Sequence, residues 1–158
     1  MIAVLQRVER ASVISDGVPT GDIEAGLMIL LGVVEGDSEE DARLLAEKIA
    51  KLRIFCDEQD KMNLSVRDIQ GGALVVSNFT LAANYTHGNR PDYFHAASPA
   101  VAEPLYEHFV ALLRCSVSPV ATGRFGADMK ITMTADGPVT IVMNSALLKK
   151  GGKYDSSH

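Results

Sequence analysis

The chain has 158 residues, 47% of them hydrophobic and 22% charged, with a formal net charge of −5 from 15 basic and 20 acidic side chains. That balance excludes a disordered chain, a collagen-like repeat and a coiled coil, and one domain of this length buries roughly two-thirds of its unfolded surface without disulfides or a structural metal. The acidic excess disfavours nonspecific binding along a nucleic-acid duplex, which depends on phosphate neutralisation, so any nucleic acid is held locally.

The segment Met1 to Arg7 reads as the start of a strand and has no basic region followed by an apolar core and cleavage site, so a cytoplasmic protein is expected. Ile2 to Ile14 alternates in part, with Ile2, Val4, Gln6 and Val8 on one face. A turn at Asp16-Gly17 then leads to a short strand near Asp22-Ile23, which predicts an antiparallel hairpin. Leu27 to Val34 is apolar on both faces, as a central covered strand would be, and is far shorter than the roughly 18 residues a membrane span needs. No membrane partner is expected.

Ser38 precedes Glu39, Glu40 and Asp41, which places a cap and three carboxylates at the positive end of a helix dipole. Leu45, Ile49 and Leu52 give that helix its apolar stripe, and the acidic cluster reads as a solvated helix start. Asp57 to Asp60 and Gly71-Gly72 predict turns, and Ala73 to Ser77 a buried strand. Residues 84 to 98 are polar and loop-like. Ser98-Pro99 then opens a second helix with Val101, Leu105, Phe109 and Leu112 as its buried stripe. Strands follow at Val117 to Ala121 and Ile131 to Ala135, and Asp136-Gly137 predicts a hairpin turn before Val139 to Met143, which Pro138 complicates. Residues 146 to 158, with Lys149, Lys150 and Lys153, read as a mobile basic tail behind a domain spanning 1 to 145.

Cys56 and Cys115 form no Cys-x-x-Cys pair and read as core or incidental residues of a reducing compartment. His87, His95, His108 and His158 have no metal-ligand spacing, so no metal or cofactor is expected. Two local features remain. Ser77-Asn78-Phe79-Thr80-Leu81 puts hydroxyls and an amide around an aromatic at a strand end, where backbone N–H groups become free. Asp136-Gly137-Pro138-Val139-Thr140 contains an X-Pro bond, for which cis is accessible at modest cost. Taken alone, the first reads more readily as a strand end with one core phenylalanine, and the second as a tight turn at a sheet edge.

Together with Leu5-Gln6-Arg7-Val8, Leu52-Arg53-Ile54-Phe55, Lys61-Met62-Asn63 and Thr122-Gly123-Arg124-Phe125-Gly126, these segments resemble the D-aminoacyl-tRNA deacylase family, collinearly from about Met1 to Ser145. The resemblance implies a homodimeric α/β fold, a small barrel-like and mainly antiparallel sheet with two main helices. It implies an enzyme that hydrolyses the ester between a D-amino acid, or glycine, and the 3′ end of tRNA, with no DNA partner. It further implies that Gly137 and Pro138 form a cis motif inserted into the other subunit's pocket as a chiral filter, held by Arg7. Rigid carbonyls beside the alpha carbon would exclude an L side chain but not glycine.

Ser77, Phe79 and Thr80 would build the pocket, with backbone N–H groups around Asn78 to Thr80 as the oxyanion site and Met129 on the adenosine side. Thr80 has no assignable base, so a nucleophile role is disfavoured, and the resemblance implies assistance by the terminal 2′-hydroxyl instead. Lys61, Arg90 and Arg124 are candidate phosphate contacts, although a solvated charge is the commoner state. The chain departs from the family in having Asn78 where glutamine is usual and Ala135 where asparagine is usual. Two alternatives stay open: a divergent relative with relaxed chirality, and a dimeric binding module without turnover.

Overall fold

The computed structural model of the chain describes residues 1–149. Strand β1 (Ile2–Ser15) is long and organises the sheet. Its first half pairs antiparallel with β3 (Gly26–Gly32) and its second half with β2 (Val18–Ile23), while β8 (Met129–Asn144) runs antiparallel along its other edge. β3 pairs with β6 (Gly72–Ser77) and β6 with β7 (Val120–Thr122), both in parallel. The sheet is therefore mixed, antiparallel in the three pairings of β1 and parallel in the two of β6. Parallel neighbours need a long crossover, and helix α1 (Glu39–Lys51) and helix α2 (Pro99–Arg114) lie in the two crossovers. β4 (Phe55–Cys56) and β5 (Met62–Leu64) form a small separate sheet.

The sheet curls until β2 approaches β7. Gly21 permits this, because a Cβ there would lie 2.8 Å from the Thr122 carbonyl oxygen. The result is a nearly closed barrel with two apolar interiors. Ala3, Leu5, Leu27, Ile29 and Leu31 face the helices and meet Leu45 and Ile49 of α1 and Leu105, Phe109 and Leu113 of α2. Val8, Ala11, Val13, Ile23, Met28, Leu74 and Val76 fill the curl itself.

Several sequence readings are corrected. The alternation of β1 is present from Ile2 to Gln6, where Ala3 and Leu5 are buried and Ile2, Val4 and Gln6 half-buried, and it breaks at Arg7 and Val8, which are both buried. The predicted hairpin at Asp136-Gly137 is absent, because both halves of β8 pair with β1 and not with each other. Of the acidic start of α1, Glu39 and Glu40 are exposed as expected, but Asp41 is buried, and Asp37 just before the helix is also engaged. Asp37 accepts from the Met1 ammonium at 2.6 Å, and Asp41 accepts from Ser38 N at 2.9 Å, Ser145 Oγ at 2.7 Å and Lys149 Nζ at 2.8 Å. Ser145–Lys149 form a short helix, α3, packed on α1, so the start of the expected tail is structured; residues 150–158 lie outside the described residues. Both cysteines are exposed, and neither belongs to the core.

Candidate functional site

Strand β6 ends at Ser77, and a 3-10 turn, Phe79–Ala82, begins at once. Asn78 caps that turn, the residue type best suited to accept from the amide two positions on: its Oδ1 accepts from Thr80 N at 3.2 Å and from the Thr80 hydroxyl. Asn78 N–H is also committed, donating to Leu31 O at 2.8 Å. That leaves Phe79 N–H as the one amide of the three without a partner among the described residues.

These residues border a cavity of about 820 Å³. Ser77, Asn78, Phe79 and Thr80 line one side and Met129 another, so five of the predicted site residues share one space. Sequence reasoning missed Tyr93, Tyr106 and Phe125, which also line it. Phe79 and Tyr93 meet edge to face with centroids 5.1 Å apart. Tyr106 donates to Val75 O at 2.8 Å, and burial pushes its hydroxyl pKa up to about 12, so it stays a neutral donor. The rest of the lining is mainly apolar, with Ser98 and Asp128 as its further polar side chains. Asp128 pairs with Lys130 at 2.8 Å and is the one carboxylate of the lining among the described residues, of which no histidine or lysine lines the cavity.

Gly137, Pro138 and Arg7 lie elsewhere. Gln6 faces Thr140 and Val8 faces Ala135, so Arg7 alone stands opposite Asp136 to Val139, and the excess residues of β8 loop outward. Gly137 and Pro138 are exposed at the tip, and their peptide bond is cis. Gly137 has φ +125°, and a Cβ there would lie 2.8 Å from Val139 N. Arg7 sits beneath the loop. Its Nη1 donates to Ile54 O at 2.8 Å, and its Nε lies 3.1 Å from Asp136 Oδ2 as a charge contact without a directed hydrogen bond. None of the three lines the cavity of its own chain.

The family described as D-Tyr-tRNA(Tyr) deacylase matches residues 4–144. The chain belongs to that family. Among the deacylase family's members, the D-aminoacyl-tRNA deacylase of Cereibacter sphaeroides is 56% identical over 145 residues, covering 92% of this chain and 100% of that one. The protein of that name from Chloroflexus aurantiacus is 52% identical over 160 residues, covering 99% and 100%. A solved structure described as c-Myc DNA Unwinding Element Binding Protein superposes with a TM-score of 0.85 at 39% identity over 91% of this chain and 98% of that one. A structure of a probable eukaryotic D-amino acid tRNA deacylase superposes with a TM-score of 0.77 at 16% identity over 90% of this chain and 97% of that one, which shows the deacylase fold alone.

Proposed function

We propose that this chain hydrolyses the ester joining a D-amino acid, or glycine, to the terminal adenosine of tRNA and spares L-amino acids. Family membership makes it an enzyme of the deacylase class. The observation that carries the finer reading is the unpartnered Phe79 amide at the edge of a cavity that holds no general base beside Thr80. Attack on the ester carbonyl puts negative charge on its oxygen, and an oriented backbone N–H in an apolar wall stabilises that charge as it develops. Activation of the attacking water then falls to the substrate, whose terminal 2′-hydroxyl lies next to the ester.

Selection comes from the exposed Gly137-Pro138 loop. It does not line the cavity of its own chain, so a second copy supplies it, and in a symmetric dimer each subunit gives and receives the motif. The half-buried Ile2, Val4 and Leu30 and the exposed Val142 offer an apolar face for such a partner. Backbone carbonyls placed against the alpha carbon exclude a side chain of L configuration, and glycine passes for want of one. Arg7 and Asp136 fix the root of the loop. The reaction takes place in the cytoplasm and uses water, without a cofactor.

The test is deacylation of matched D-tyrosyl-, L-tyrosyl- and glycyl-tRNA with chelator present throughout. Loss of the D and glycyl esters with the L ester intact is the expected result. Loss of the L ester as well would establish the relaxed-chirality alternative, which Asn78 and Ala135 motivate, and binding without turnover would establish the binding module.

A further inference from the structure

Two of the most exposed large apolar side chains lie on the same loop, between the 3-10 turn and α2. Phe94 is 85% exposed and Tyr85 77% exposed, and neither lines the cavity. Loose backbone does not account for this. Asn84 and Asp92 exchange both main-chain hydrogen bonds, at 2.8 and 3.0 Å, and Asn84 Nδ2 donates to Asp92 Oδ2 at 2.9 Å. Asn84 Oδ1 accepts from both Thr86 N at 3.2 Å and Thr86 Oγ1 at 2.8 Å. Further along, Glu35 N donates to His95 O at 2.9 Å and Val34 bridges Ala96. The rings are displayed from a held scaffold.

The loop lacks the acidic excess of the rest of the chain, with Arg90 set against the single carboxylate Asp92. Between residues 84 and 98 the one carboxylate is Asp92, and both its oxygens accept within the loop, Oδ2 from Asn84 and Oδ1 from Phe94 N at 3.3 Å. His87, Arg90 and His95 are exposed. In a chain of net charge −5 this is a local surface fit for an anion. It is also continuous with the cavity, because Tyr93, next in sequence to Phe94, lines that cavity and packs on Phe79.

We propose that Tyr85 and Phe94 form a stacking platform for the unpaired bases that precede the terminal adenosine of the substrate, with Arg90, His87 and His95 meeting their phosphates. The proposal rests on the ester-hydrolase reading, since the terminal nucleotide must occupy the cavity for its neighbours to reach the loop. Aromatic faces take any base, which suits an enzyme whose substrates share one single-stranded CCA end and differ elsewhere.

The test compares two D-tyrosyl esters, that of whole tRNA and that of adenosine alone, with the wild type and the Tyr85→Ala, Phe94→Ala and Phe94→Trp variants. Each alanine variant should raise KM for the tRNA ester about tenfold at unchanged kcat, as loss of one stacked base predicts. The adenosine ester should be hydrolysed as by the wild type, and Phe94→Trp should match the wild type on both. A fluorescently labelled ACCA oligonucleotide, which needs no turnover, should bind about tenfold more weakly to each alanine variant. Equal effects on both esters, no effect on either, or dissociation of a dimer by Phe94→Ala would overturn the platform. If the wild type hydrolyses neither ester, the enzymatic reading falls, and oligonucleotide binding decides the platform by itself.

Discussion

Thr80 brings a hydroxyl to the cavity wall, and Asn78 determines what that hydroxyl does. It donates to Asn78 Oδ1, an acceptor with no capacity to take a proton, so nothing in the wall raises its nucleophilicity. Thr80→Ala should therefore change kcat for D-tyrosyl-tRNA by less than about tenfold, whereas deleting a true nucleophile costs about 10⁴ or more. A loss of that larger size would make the enzyme a conventional threonine esterase. The same cap explains what the departure at Asn78 does physically. A side chain one methylene shorter than glutamine reaches the amide two residues on, so Thr80 N–H is held by the cap and Phe79 N–H is left as the donor. Local residue types made Ser77 to Thr80 legible as a candidate site, but which amide stays free depends on side-chain reach and on Leu31, a neighbour only in the folded sheet. Tyr93, Tyr106 and Phe125 were not legible as site residues for the same reason: each arrives from a different segment, and only the fold brings those segments to one wall.

Helices α1 and α2 were legible because their caps and apolar stripes are local signals, and the structure places them within a residue or two of expectation. The Gly137-Pro138 loop was misread because the pattern Asp-Gly between apolar runs describes a hairpin equally well. Only the partner of each half, which is β1 for both, tells a hairpin from a loop extruded out of one strand. The acidic start of α1 hid a second tertiary feature. Burial pushes the Asp41 carboxyl up, but hydrogen bonds from Lys149, Ser145 and Ser38 together outweigh it and hold the group well below the ordinary carboxylate range. A carboxyl with a depressed folded pKa contributes stability that is present above its unfolded value, near about 3.9, and is lost as pH falls through the folded value. Asp41→Asn should thus lower Tm at about pH 7 by roughly 5 °C, taking about 2 kcal/mol for hydrogen bonds to a charged acceptor in a chain of this size. The difference from wild type should already be smaller at about pH 3, where the carboxyl of the unfolded chain is protonated while the folded one is still ionised, and should go on shrinking below that. An equal Tm difference at both pH values would mean that packing between α1 and α3, and not charge, carries the effect.

At the scale of the molecule, the cavity and the Gly137-Pro138 loop are separate in one chain, and the proposed function requires them to meet. Two crippled proteins can settle whether they meet across subunits. In the first, Gly137→Ala adds a Cβ 2.8 Å from Val139 N at a backbone angle that side chains rarely adopt, which displaces the loop and leaves the cavity intact. In the second, Phe79→Pro removes the unpartnered amide proton at the first position of the 3-10 turn, where proline is sterically acceptable, and leaves the loop intact. Each homodimer should be inactive as a chirally selective deacylase. After mixing, unfolding and refolding together, random pairing makes about half the dimers mixed, each with one site that combines an intact cavity and an intact loop, so about a quarter of wild-type activity should return. The returning activity should spare L-tyrosyl-tRNA as the wild type does, which a nonspecific ester-cleaving contaminant would not. If sites were completed within one chain, no mixture could restore anything, because every chain would carry a broken cavity or a broken loop.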